Sequence, residues 1–424
     1  MNLRLLLLTL IIFPVALMAQ KREKPKMLVY GSDITALTAA VQAARSSVPT
    51  IWVLDQGQIA PEITSQTLKM VKNENLDAGI WMNLLMEMGM SKTKSDSLAM
   101  AVKADFNPQL ARNAIEKMLR ELPNLTIVRD QQILNVEKKR REWQIQLANR
   151  QSIQVLSVVD ASKDGLLFKK AEGTKKEGMS SSLQRAKEVS LAASRTTLAV
   201  GELKDEVYVL LLKDLLTFEK ENLFDIGFLR ELDADPENIA FRAAYGQALG
   251  ATAGYVAFFK SDTKTIDIRK LQAELLGFSA RLNPYQDVKT TDVHYGSIQK
   301  SYLSGFFLGK VEGNKYMFKG DDFVKFGDVK DVLNDIYTRS QLWFLDNYKE
   351  EDMTWRDLFS LIKFVSFKGD EVERQVEKDW KSRRKFEGEF NLDSKITRDH
   401  FAVMADLYST AFAKAINLDG TFVK

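Results

Sequence analysis

The stretch that most constrains how this chain can fold lies between Met27 and Asp55. Met27 to Tyr30 is a short apolar run that ends at Gly31. Leu37 to Arg45 is rich in small helix formers. Thr50 to Leu54 is a second apolar run, closed by Asp55. Strand, turn, helix and strand within about thirty residues is the length of a βαβ unit. Two parallel strands joined by a crossover helix imply a doubly wound α/β sheet of the Rossmann type.

The first turn of that unit reads Gly31-Ser32-Asp33-Ile34-Thr35-Ala36. A dinucleotide fingerprint wants Gly at the first, third and sixth of these positions, for the tight turn, for close approach of the pyrophosphate and for helix–strand packing. Only Gly31 is present. Ala36 is a mild replacement, whereas Asp33 puts a carboxylate where a pyrophosphate would lie. Asp55 has the residue type and spacing to bind an adenosine ribose. By pattern the turn reads either as a nucleotide site or as a plain crossover with a solvated Asp33.

Other classes of chemistry are narrowed by composition. There are no cysteines, which excludes disulfides, thiolate catalysis, Cys-ligated zinc and iron–sulfur clusters. The two histidines, His294 and His400, stand in no recognisable triad or metal motif, and no metal site is expected. With 60 Lys+Arg against 57 Asp+Glu, the net charge of +3 lacks the basic excess of a nucleic-acid binder. At the N-terminus, Arg4, the apolar run Leu5 to Met18 and the small Ala19 read as a signal peptide over residues 1–19. That run is shorter than the ~20 residues a spanning helix needs. The expectation is an exported protein, periplasmic or extracellular, with no membrane span after cleavage near Gln20.

Further along, Asn107 to Leu122 reads as an amphipathic helix opened by Asn107-Pro108. Thr126–Val128, Ile133–Val136 and Trp143–Leu147 alternate like antiparallel strands, and Val155–Asp160 reads as a buried one. Lys169–Ser182 reads as an exposed loop, Val207–Leu212 as a strand and Tyr245–Phe259 as a helix. Composition shifts after Pro284 towards Phe, Trp, Lys and Asp at helical spacing, over 329–348, 354–368, 372–385 and 398–415. The composition shift places a domain boundary near Asp287, giving an expected domain over 27–287 and a mostly helical module over 288–424. Trp343, Phe344, Tyr348, Trp355, Phe359, Phe364 and Phe367 read as core or as a sugar-stacking platform. Asp321-Asp322 and Glu350-Glu351-Asp352 read as loop charges or as paired glycosidase carboxylates.

Several segments in order resemble the FAD-dependent oxidoreductases often described as xanthan lyase-like. Met27–Gly31, the Ala-rich helix and Asp55 are similar to the opening of that family. Val159-Asp160-Ala161-Ser162-Lys163-Asp164-Gly165 resembles its Asp-Ala-Thr-Gly-Asp-Gly segment. Glu221-Asn222-Leu223 with Gly227 resembles its Glu-Asn-Leu strand, and Tyr245–Gly254 its Gly-Gln-Ala-Ala-Gly helix start. The resemblance implies FAD as cofactor, with Gly31, Asp55, Asp160, Gly227, Gly246 and Gln247 as its contacts. It implies that N–H groups at a helix start near Gly246 and Gln247 face the flavin ring. The sequence also departs from the family. Two turn glycines are missing, Lys163 replaces a Gly, Glu237 sits where an Arg is expected, with Arg242 reachable only across a gap, and the substrate-domain insertion between Gly165 and Val207 is almost absent. No catalytic residue is identified. The expected function is an exported oxidoreductase-like protein of unknown substrate, active or inactive, or else a non-catalytic surface protein on a vestigial flavoprotein scaffold. Its partner would be a small molecule or a cell-surface glycan. In the second module, His294–Ile298, Gly305, Gly309, Phe318 and Ile396–Ala402 resemble S-layer homology repeats; by pattern they read first as core aromatics with a helix cap.

Overall fold

A computed structural model of the chain describes residues 24–72, 76–174, 183–216, 219–232 and 234–423. The signal-peptide expectation lies outside the described residues. The opening unit forms as read: β1 (Met27–Tyr30), α1 (Ile34–Arg45) and β2 (Thr50–Val53). There follow α2 (Pro61–Thr64), α3 (Gly79–Met88), α4 (Asp96–Ala104), α5 (Pro108–Arg120) and β3 (Leu125–Val128). Asn107 caps α5 by accepting from Gln109 and Leu110 N–H, with Pro108 in its first turn, as the Asn-Pro pair predicts.

Next come β4 (Ile133–Lys139), β5 (Glu142–Leu147), β6 (Ser152–Val155) and β7 (Ser157–Asp160). β4, β5 and β6 form an antiparallel sheet, but β3 does not join it: β3 pairs parallel with β2. A four-residue apolar strand carries no periodicity that reveals its partner. The expected strand at 155–160 is two strands, one in each sheet. Expected as loop, residues 169–174 in part close the short helix α6 (Leu166–Lys170), and the remainder of that stretch lies outside the described residues.

The chain then runs through β8 (Gln184–Arg185), α7 (Leu191–Ser194), β9 (Thr197–Leu203), β10 (Glu206–Leu211), α8 (Leu212–Leu215) and β11 (Leu223–Asp225). The principal sheet is parallel, in the order β11-β7-β1-β2-β3. Alternate residues of its central strand serve opposite faces. Leu28 and Tyr30 pack with Val53, Val158 and Trp143 under the antiparallel sheet, while Met27 and Val29 pack against α1 and the long helix α9 (Ile239–Phe259). α9 lies close on α1 because both carry small residues at the crossing. A Cβ on Gly250 would come within 2.3 Å of the Ala39 carbonyl oxygen.

After α10 (Ile268–Gly277) and α11 (Tyr295–Ser304), a small hairpin of β12 (Lys310–Glu312) and β13 (Lys315–Met317) leads into α12 (Phe326–Ile336), α13 (Ser340–Asn347), α14 (Trp355–Ser366), α15 (Glu371–Asp379) and α16 (Arg398–Tyr408). The helical module is therefore present, with the stretch 329–348 broken into two helices and the last two helices shorter than the spacing predicts. Three segments close on one another in a ring. Val324 N–H donates to the Ile396 carbonyl, Ile396 N–H to the Met353 carbonyl and Met353 N–H to the Val324 carbonyl, at 3.0, 2.9 and 2.7 Å. All three side chains are buried, and each precedes a helix: α12, α14 and α16. Thr354 and Thr397 cap the latter two. Trp343, Phe344, Trp355 and Phe359 are core residues, whereas Tyr348 and Phe367 are exposed.

Packing does not stop at the compositional boundary near Asp287. One continuous apolar core runs from β1 to Phe422. The Asp287 carboxylate accepts from Phe318 and Lys319 N–H, Arg195 donates to the Ser304 and Gly420 carbonyls, and Arg269 to those of Leu303 and Lys414. Among the described residues, no helix is long and apolar enough to cross a membrane.

Candidate functional site

Ligands of open parallel sheets bind beyond the carboxyl ends of the strands. There this chain has a cleft of about 450 Å³, bordered by Asp33, Asp55, Glu62, Lys163, Arg230 and Arg242. Gly31 makes the turn out of β1 with φ of +135°, and a Cβ there would come within 2.8 Å of the Ala161 backbone. Its carbonyl accepts from the Trp52 indole N–H at 2.8 Å. The turn thus needs its glycine for the close approach of two strand ends.

The N-terminus of α1 is the place where a helix offers free N–H groups and positive potential to a phosphate. Here the chain fills it with its own carboxylates. Asp33 is the N-cap and accepts from Ala36 N–H at 2.9 Å. Ile34 N–H donates to the Glu62 carboxylate. Glu62 is carried there by α2, whose approach is fixed by the Ala60 N–H to Ser32 carbonyl bond at 2.6 Å and by Ala60 in left-handed backbone. Arg242 faces the pair, 3.9 Å from Asp33, and donates to the Leu232 carbonyl. Burial pushes Asp33 up to about 6, against the pull of the Ala36 N–H and Arg242. Burial and then repulsion from Asp33 push Glu62 up to about 7. Asp33 therefore does not stand as a free solvated carboxylate.

Of the sequence-derived contacts, Gly31 and Asp55 lie at the cleft end of the sheet. Asp55 is exposed at the end of β2, on the cleft wall. Asp160, by contrast, is fully buried and organises its own loop, accepting from Ser162 N–H, the Ser162 hydroxyl at 2.6 Å and Phe168 N–H at 2.8 Å. Burial raises its pKa to about 6 despite those bonds. Gly227 has φ of +44° and donates its N–H to Asp225, which is paired with Arg230 at the cleft wall.

Gly246 and Gln247 are not at a helix start. α9 begins at Ile239, so their N–H groups lie within the helix, and the expected flavin-facing terminus is not formed there. Gly246 instead admits α1: a Cβ on it would come within 2.2 Å of the Thr38 hydroxyl. Gln247 is buried, donates to Gln42 at 2.9 Å and accepts from Ile80 N–H at 3.1 Å, tying α9 to α1 and to the first turn of α3. The cue to the true start is Asp235-Pro236, where Asp235 caps a short 3₁₀ turn running into α9. Glu237 accepts from Val71 and Lys72 N–H, and Arg242 takes the position at the cleft.

These residues do not fit a dinucleotide held in the usual manner. A pyrophosphate at the first turn of α1 would meet two carboxylates where it needs open N–H groups. Among the described residues no group of three or more acidic or histidine side chains is placed to hold a metal ion. Outside the cleft, His294 bonds Asp399 at 2.5 Å and the Arg384 carbonyl at 2.6 Å, while His400 lies against Phe386, Trp355 and Trp380. Asp322 pairs with Lys310 and Asp352 with Lys395 near the surface.

No curated protein matches the chain. Among solved structures, p-nitrophenol 4-monooxygenase PnpA from Pseudomonas putida DLL-E4 is 13% identical over 36% of this chain and 45% of its own, with a TM-score of 0.27. Bacillithiol disulfide reductase Bdr (YpdA) from Staphylococcus aureus is 10% identical over 33% and 38%, with a TM-score of 0.23. Tetracycline destructase Tet(51) is 11% identical over 38% and 44%, with a TM-score of 0.24. The chain thus spans less than half the length of each. A family model described as FAD dependent oxidoreductase matches residues 26–237, half of the chain, and takes in the βαβ opening, the cleft loops and the parallel sheet. By that match this chain belongs to the FAD dependent oxidoreductase family.

Proposed function

We propose that this chain is an exported, non-catalytic member of its family, which keeps the flavoprotein scaffold but does not hold FAD at the dinucleotide turn. The observation that carries this reading is the pair of carboxylates, Glu62 and Asp33, bonded to the first-turn N–H groups of α1. The short connection between Gly165 and Val207 supports it, since a flavin enzyme must place a substrate against the ring and exclude water there. Calorimetric titration of the purified chain with FAD near neutral pH tests it. No binding tighter than about 1 mM is expected. Saturable binding near 1 µM would overturn the reading and restore an oxidoreductase of unknown substrate.

A second reading concerns the C-terminal module. The three-way ring of Val324, Met353 and Ile396, with a helix after each, supports the resemblance to S-layer homology repeats and hence a surface-polysaccharide partner. Co-sedimentation with purified cell-wall polysaccharide tests it, and a protein left wholly in the supernatant would remove the glycan from consideration.

A further inference from the structure

Away from the cleft, Lys103 on α4 and Asp77 just before α3 face each other inside the protein. Their side chains are 2% and 1% exposed, and Lys103 Nζ lies 2.5 Å from Asp77 Oδ2. The other carboxylate oxygen, Oδ1, accepts from the Trp81 indole N–H at 2.7 Å. Trp81 stacks on Phe106, and both rings are buried. Putting an ammonium and a carboxylate into such a place is costly, because each loses its hydration. Burial pushes the Asp77 carboxyl upwards, opposed by Lys103 and Trp81.

We propose that Lys103 and Asp77 condense into an amide that cross-links the chain to itself. The ion pair is the reactant. Shifting one proton from Nζ to Oδ2, along the hydrogen bond that already joins them, gives a neutral amine beside a neutral carboxylic acid. The free lone pair of Nζ attacks the Asp77 carboxyl carbon, and the Trp81 N–H bonded to Oδ1 stabilises the negative charge that develops there. The C–Oδ2 bond then breaks. Oδ2 leaves as water, taking one proton already transferred and a second from Nζ. One N–C bond forms, one C–O bond breaks, and no oxidant, reductant or cofactor enters. Holding amine and carboxyl in contact removes the entropic part of the barrier. The product closes a loop holding α3 and α4, replaces two buried charges with one neutral amide, and restrains the unfolded chain as a disulfide does elsewhere. This chain has no cysteine with which to make one.

The test is mass spectrometry of the full chain, purified and digested with trypsin. A branched peptide containing both Asp77 and Lys103, lighter by one water than the sum of its parts, is expected. So is an intact mass one water below that of the Lys103→Arg variant after allowance for the substitution. Separate linear peptides and a full intact mass in the unaltered chain would overturn the proposal, and that outcome needs no variant to fold. A deficit that persists in Lys103→Arg would place the lost water elsewhere and overturn it too.

Discussion

Replacing Asp33 with Asn and Glu62 with Ala should open the turn to an anion. Asn keeps the N-cap on Ala36 without the charge, and Ala removes the side chain bonded to Ile34 N–H. Two unit charges about 4 Å apart at an effective dielectric near 20 repel by about 4 kcal/mol. That is about three orders of magnitude in affinity. Burial raises both carboxyls, and repulsion from Asp33 raises Glu62 further, so the pair gives up charge as pH falls. The repulsion is therefore strongest at pH 8 and fades towards pH 5. Freeing the Ile34 N–H adds up to ~2 kcal/mol of helix-terminus attraction. FAD affinity of the double variant, followed by flavin fluorescence, should exceed that of the parent by about two to three orders of magnitude at pH 8 and by much less at pH 5. An equal affinity in both proteins at every pH would refute the reasoning, because it would mean that these carboxylates are not what excludes the phosphate.

Other consequences can be checked separately. Gly246→Ala should destabilise the fold by about 1–3 kcal/mol, as overpacking does, with a lower denaturant midpoint as the readout; an unchanged midpoint would contradict the close α1–α9 contact. Burial pulls the His294 pKa down, but Asp399, the Arg384 carbonyl and Asp292 outweigh it and leave it raised. Its contribution is thus full below the unfolded value of about 6.5 and lost as pH rises through the folded one. His294→Gln should lower Tm more at pH 5 than at pH 9, and a uniform loss would mean that charge plays no part. Because the core and the Arg195 and Arg269 bonds cross residue 287, thermal unfolding should be a single transition; two resolved transitions would restore separable modules. N-terminal sequencing of protein from its native host should begin near Gln20, and retention of Met1 would remove the export reading.

The βαβ unit was legible because two apolar runs and an Ala-rich helix have their own periods and need no distant partner. The places of Gly31 and Asp55 just after β1 and β2 followed from the same pattern. Glu62 was not legible: nothing in Pro61-Glu62 indicates that a short helix folds back to place the carboxylate on Ile34. Gly246 and Gln247 misled for a related reason. A Gly-rich helical segment reads as a helix start facing a ligand or as a close helix crossing, and only the partner residues Thr38 and Ala39 decide between them. The parallel pairing of β3 depended in the same way on a neighbour, β2, distant in sequence. The ring of Val324, Met353 and Ile396 left a faint trace in the Thr-capped helix starts at Thr354 and Thr397, too short to announce its closure.

The visible absorption spectrum of the protein, purified without added cofactor and again after denaturation to release any bound chromophore, tests the closed dinucleotide turn most directly. A protein closed at α1 by Asp33 and Glu62 should be colourless, with no flavin in the denatured supernatant. Yellow protein that releases about one FAD per chain would contradict the account, because a pyrophosphate would then share the first turn of α1 with both carboxylates against a repulsion of about 4 kcal/mol.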